Sequence, residues 1–174
     1  MLKAWIGTAG LLAGCIAAGA ATAKPVTVPM TDATGANVGT VTFSQHGKNL
    51  ELRASLKGLP AGEHAIHVHA VGTCTPPDFS SAGGHYNPES KHHGFSNPEG
   101  HHAGDFPASV TIKADGKGSA KLSNSDLSLD KASMNSVYGK SVVVHELVDD
   151  QKTDPAGASG KRIACGVIPA APSM

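Results

Sequence analysis

The chain has 174 residues, with 14 Lys+Arg against 14 Asp+Glu, so its formal charge is zero when His is neutral. That balance excludes the basic excess of a nucleic-acid binder, and 40% apolar content at such low net charge excludes disorder. Ten His, 21 Gly and 11 Pro in one domain-sized chain point to metal or proton chemistry on a turn-rich fold.

The first segment, Met1 to Ala23, differs from the rest. Lys3 is its only charge, an apolar run follows from Ala4 to Ala21, and Ala21-Thr22-Ala23 is a small-x-small site. These are the parts of a secretory signal, which leaves residues 24–174 as one mature domain. The run is short and interrupted by Gly, unlike a transmembrane anchor. Leu12-Ala13-Gly14-Cys15 resembles a bacterial lipobox, so two exits are open: cleavage after Ala23, or lipidation at Cys15 with a membrane tether. Either way the expectation is an exported domain, periplasmic or extracellular. Outside the leader only Cys74 and Cys165 remain, an even count that allows one disulfide in an oxidising compartment.

From Val26 onward, short β-prone runs alternate with turn clusters. The expected strands are Val26 to Val28, Val38 to Gln45, Leu50 to Leu56, Glu63 to Val71, Ser109 to Ala114, Gly118 to Leu122, Val142 to Glu146 and Arg162 to Ile168. Leu50 to Leu56 alternates apolar and polar, and Asp115-Gly116-Lys117 is a hairpin signal. No amphipathic helix of ten residues is expected in the mature region. Seven or eight short strands with such turns read as an all-β antiparallel sandwich or barrel. Two long segments interrupt it, Gly72 to Pro107 and Leu147 to Lys161, and loops of that length in a compact domain usually carry function.

The histidines gather where the loops do. His67-Val68-His69 sits on an expected strand, so both imidazoles share one face, roughly 6.6–6.8 Å apart along the chain. His145 closes Val142-Val143-Val144 by the same alternation. The first long loop adds His85, the pair His92-His93, the pair His101-His102, and Asp105. Three imidazoles and one carboxylate make a four-coordinate zinc set, whereas imidazole alone favours copper. Neighbouring side chains diverge, so each His-His pair supplies one ligand. Spacing leaves open which one: His92 or His93, His101 or His102.

Gly-Glu-His-Ala-Ile-His-Val-His, Gly-Gly-His-Tyr-Asn-Pro, Lys-His-His-Gly, His-His-Ala-Gly-Asp, Val-Val-Val-His-Glu and Arg-Ile-Ala-Cys-Gly-Val-Ile occur in that order. In these segments, from about Thr40 to Ile168, the chain resembles the copper/zinc superoxide dismutases. The resemblance implies a Greek-key β-barrel of about eight strands with two functional loops. It implies one copper per subunit on His67, His69, His85 and His145. One zinc would sit on His85, His93, His102 and Asp105, with His85 bridging both ions. His92 and His101 are then left over. Asp149 would hydrogen-bond ligand rings of both sites, and Cys74 and Cys165 would form the family disulfide. Arg162, held near copper by that link, would orient the superoxide anion, making Arg162 and His85 the catalytic pair. Nothing in the resemblance fixes the oligomeric state, so a homodimer stays open.

The loop from Leu147 to Lys161 departs from many animal members of the family in being shorter and without glutamates. Lys152 and Lys161 could supply steering charge there or be ordinary surface. The alternative reading of the same residues is a non-catalytic, extracytoplasmic copper/zinc-binding or delivery protein of this fold. A storage protein has no need of Arg162.

Overall fold

The computed structural model describes residues 23–173, so the expected leader up to Thr22, Cys15 included, lies outside the described residues. Nine strands form one antiparallel sheet: β1 (Val26–Asp32), β2 (Asn37–His46), β3 (Asn49–Lys57), β4 (Gly62–His64), β5 (Ile66–His69), β6 (Val110–Ile112), β7 (Lys117–Asn124), β8 (Ser141–His145) and β9 (Arg162–Val167). Their order is β4-β6-β7-β3-β2-β1-β9-β8-β5. The two ends of that order, β4 and β5, are consecutive in the chain. A single residue, Ala65, separates them, so the sheet curls into a nearly closed barrel.

The strand expected over Glu63 to Val71 is thus two. β4 pairs with β6 and β5 pairs with β8, on opposite sides of the seam. Ala65 spans that seam: its N–H donates to the Leu147 carbonyl (2.8 Å) and its carbonyl accepts from the His145 N–H (2.9 Å). Sequence alternation cannot show a change of partner inside a run of good strand formers, because it reports faces and not neighbours.

β3 shows the alternation that was expected. Leu50, Leu52, Ala54 and Leu56 are buried, while Arg53 and Ser55 face solvent. Each fully buried Leu contributes roughly 1.5–3 kcal/mol. Glu51, on the outer face, pairs with Arg53 (2.6 Å) and with Lys121 of β7 (2.9 Å). The core runs on through Val28, Phe43, Ile66, Val68, Ile112 and Val142. β5 departs from simple alternation because all four of its residues are buried. Ile66 and Val68 face the core. His67 and His69 face outward but lie beneath the two long loops.

The only helical element among the described residues is a 3-10 turn, Ser80–Ala82. Cys74 and Cys165 are bonded, with Cα atoms 5.7 Å apart across 91 residues of sequence. The bond fastens the first loop to β9 and is itself packed against Phe79, Ala82 and Val143. Closing a loop of this length removes roughly 4–5 kcal/mol of unfolded-state entropy. Cys74→Ser is therefore expected to lower unfolding free energy by about 2–5 kcal/mol in denaturant titrations. Superimposable curves for the variant and the wild type would contradict that.

Candidate metal centre

The long loop meets the barrel wall backbone to backbone. Val68 N–H donates to the Gly104 carbonyl (2.9 Å), Tyr86 N–H to the Val68 carbonyl (2.8 Å) and Ala70 N–H to the Gly84 carbonyl (2.9 Å). Gly104 is required for this approach, since a Cβ there would lie 2.2 Å from the Val68 carbonyl oxygen. The free edge of β5 is covered, and His85 is carried opposite His69.

Two clusters of ligand atoms result, each lying within 4.8 Å of one another: His67, His69, His85 and His145, and His85, His93, His102 and Asp105. All seven residues are buried. In the second cluster Oδ1 of Asp105 is approached by three ring Nδ1 atoms, from His85 (2.8 Å), His93 (3.1 Å) and His102 (3.5 Å). Its other oxygen is fixed by the N–H groups of Gly94 and His102, both at 3.0 Å. In the first cluster the Nε2 atoms of His69 and His145 face each other at 3.3 Å, and the rings of His67 and His85 lie 4.0 Å apart.

These donors fit metal ions. The buried ring atoms His67 Nδ1, His85 Nε2, His93 Nδ1 and His102 Nδ1 have no well-aligned hydrogen-bond partner among the described residues. Buried polar atoms left unpaired cost roughly 1–3 kcal/mol each, so several converging on one spot mark a site built for a cation. The first set is all imidazole, which suits copper; the second includes a carboxylate, which suits zinc.

Asp149 lies between the clusters. Its Oδ2 accepts from His67 Nε2 (2.7 Å) and its Oδ1 from His93 Nε2 (3.0 Å). One carboxylate thus orients a ring in each set and leaves both Nδ1 atoms free to point inward. Gly157 makes room for it: a Cβ there would fall 2.0 Å from Asp149 Oδ1 and 2.6 Å from His93 Nε2.

Arg162 stands opposite His145 in the β8–β9 register. Its Nη1 and Nη2 donate to the carbonyls of Phe79 and Gly83, both at 2.6 Å, and the Gly83 carbonyl also accepts from His69 Nδ1 (2.9 Å). One carbonyl therefore ties the guanidinium to a ring of the first cluster. Lys161 flanks a groove of about 680 Å³ with Arg162, Asp32 and Asp78, and both Lys152 and Lys161 are exposed.

His93 and His102 are the inward members of their pairs. His92 and His101 turn outward, to Asp154 (2.6 Å) and Asp126 (2.8 Å). Two supporting residues are not singled out by the sequence. Asn124, buried at the end of β7, donates to the carbonyls of Ala103 (2.9 Å) and Asp105 (2.7 Å). His64 links the carbonyls of His145 and Pro60, both at 2.9 Å. Its position within the His-rich strand motif was the one available hint.

Taken together, the near-closed barrel with two metal-ligand clusters meeting at one imidazole defines a metalloprotein of the copper-and-zinc type. The family described as copper/zinc superoxide dismutase (SODC) matches residues 37–168. A superoxide dismutase [Cu-Zn] of Aquifex aeolicus is 43% identical over 140 residues, covering 77% of this chain and 81% of that protein. A superoxide dismutase-like protein of Bacillus subtilis is 42% identical over 125 residues, covering 70% and 63%. The solved Cu/Zn superoxide dismutase of Brucella abortus superposes with a TM-score of 0.70 at 34% identity, over 83% of this chain and 99% of that one. The chain belongs to the copper/zinc superoxide dismutase family, and its cofactors are copper and zinc.

Burial sets the protonation of the clusters. It pushes His67 down to about 4, against the pull of Asp149, and pushes His85 and His145 down to about 3. His69 falls well below 6.5 for the same reason. Burial also opposes charge on His93, yet Asp105 and Asp149 outweigh it and raise the ring to about 9. Burial would raise Asp149, but hydrogen bonds from His67 and His93 hold it below its ordinary 3.8.

A pH dependence follows for the metal-free protein. Between pH 6.5 and about 4 the unfolded chain binds more protons than the folded one at His67, His69, His85 and His145, so stability falls as pH falls. The contribution of Asp149 is lost below about 3.8 in the same direction. His93 acts oppositely: its contribution is fully present below 6.5 and is lost as pH rises through about 9. With four depressed rings against one raised, the melting temperature of chelator-stripped protein is expected to drop between pH 6.5 and 4.5. A melting temperature that holds or rises across that interval would contradict it.

Proposed function

We propose that this protein dismutes superoxide to oxygen and hydrogen peroxide at a copper held by His67, His69, His85 and His145. His85 is shared with a zinc held also by His93, His102 and Asp105. One observation carries the reading: the two nitrogens of a single buried ring address two complete donor sets. Bound copper supplies one-electron chemistry, accepting an electron from one superoxide and giving it to a second with two protons, while zinc supplies fixed positive charge.

The chain's own residues do the rest. Asp149 orients His67 and His93, so both rings present Nδ1 without rotating. Arg162 gives a small anion a fixed, half-buried guanidinium beside the first cluster. Superoxide offers little contact area, so its capture depends on Coulomb attraction at short range. His85 Nε2, buried and without a hydrogen-bond partner among the described residues, is placed to hold a proton for the product.

We also infer that the domain is exported, supported by the leader composition and by a disulfide suited to an oxidising compartment. The intact mass of the mature chain distinguishes cleavage after Ala23 from an acylated Cys15. A second reading has one support, the Bacillus subtilis relative named superoxide dismutase-like. It makes this protein a carrier of copper and zinc without catalysis.

Arg162 separates the two readings, because it holds no metal. With metal content and superoxide consumption measured on the same samples, Arg162→Ala is expected to lower the rate about tenfold or more. Arg162→Lys retains much of the rate, and Arg162→Glu is slowest. Fully loaded variants with equal rates would favour the carrier.

A further inference from the structure

His92 and Asp154 have no part in the donor sets, yet together they hold the chain at His93. Asp154 lies on the second long loop, five residues beyond Asp149. Its Oδ1 accepts from the backbone N–H of His93 (2.7 Å) and its Oδ2 accepts from His92 Nδ1 (2.6 Å). On the far side of the same imidazole, His92 Nε2 lies 2.9 Å from Glu99 Oε2. A single carboxylate of the second loop thus grips two successive residues of the first, one by its backbone and one by its ring.

The contact is continued on both sides. Ser96 N–H donates to the Gln151 carbonyl (2.9 Å), and Phe95 N–H to Gln151 Oε1 (3.3 Å). Gly94 packs directly on Gln151: a Cβ there would lie 2.1 Å from the Gln151 carbonyl carbon. The turn at His92–Ser96 and the segment Asp149–Asp154 are therefore zipped together, with His93 between two carboxylates. Asp149 takes its ring and Asp154 takes its backbone.

We propose that Asp154, braced by His92, is a positioning residue that fixes the backbone of His93 and thereby sets how tightly the second cluster retains zinc. The inference rests on the zinc assignment made above. Asp149 and Asp105 face the ring and Asp105 holds the next amide, but a ring so held can still shift with its own backbone, and the clasp at the His93 N–H removes that freedom. It also explains the doubled histidine: the inward ring is a ligand, and its outward neighbour closes the bond that keeps the ligand still. The reach of the carboxylate matters as well as its charge, because the His93 N–H needs only a neutral acceptor.

The test uses the full chain loaded with zinc, and in parallel with cobalt(II) in the zinc position as a visible reporter. Asp154→Ala is expected to speed zinc transfer to a chromogenic chelator about tenfold, within the range typical for lost partners of metal ligands. It is also expected to shift the cobalt absorption bands. Asp154→Asn keeps an acceptor for the His93 N–H and is expected to restore most of both properties, which a merely stabilising surface charge would not. Wild-type release and spectrum in Asp154→Ala would overturn the proposal, provided that His93→Ala abolishes the cobalt bands. Cobalt bands in the wild type that survive His93→Ala would sink the zinc assignment itself, and the proposal with it.

Discussion

Six imidazoles and one carboxylate, packed together where water is excluded, set the constraint on which the rest of this molecule depends. Burial favours neutral rings at His67, His69, His85 and His145, and neutral rings turn unshared electron pairs toward a common centre. Such a group cannot stabilise a fold by itself, since its orphaned nitrogens and opposed lone pairs oppose compaction. The barrel supplies the stability and the loops supply the geometry. A nine-stranded sheet with an apolar interior can hold a polar cluster on its outer wall because the cluster sits at the seam, where β4 and β5 part at Ala65.

Each loop is then fixed by contacts that also orient ligands. The Cys74–Cys165 bond and the twin hydrogen bonds of Arg162 hold the segment that reaches Gly83, whose carbonyl orients His69. Asn124 holds the backbone of Asp105 from the end of β7. Asp105 in turn has one oxygen fixed by two amides, which leaves the other to face three rings. Asp149 couples the two clusters from the second loop. The buried stretches that carry His85, His93, His102 and Asp105 are thus tied to the barrel and to the second loop by these contacts.

Much of this was legible in the sequence. Alternation on β3 reads directly as a strand, because period-two burial leaves a period-two pattern, whereas β8 is buried on both faces and reads as an unbroken valine run. The doubled histidines led to the expectation of one inward ring per pair, but spacing could not choose between neighbours; the resemblance pointed to His93 and His102, and these are the buried members. What stayed hidden has physical reasons. The split at Ala65 changes strand partners without changing any face. Asn124, His64 and Asp154 act through backbone carbonyls and amides brought together by folding, and a sequence does not display such groups. Gly94, Gly104 and Gly157 carry no sign in the sequence of their role, which is to admit a backbone or a carboxylate where a Cβ would collide. The identity of the ring that Asp149 touches in the first cluster, His67, also required the folded chain.

The account stands on the sharing of His85. A crystal structure of the protein loaded with both metals, phased at the copper and zinc absorption edges, tests this most directly. We expect two separate anomalous peaks, copper on the Nε2 side of the His85 ring and zinc on its Nδ1 side. Copper would be surrounded by His67, His69 and His145, and zinc by His93, His102 and Asp105. Two ions with no common ligand, or a single occupied cluster with His85 turned away from the other, would contradict the account.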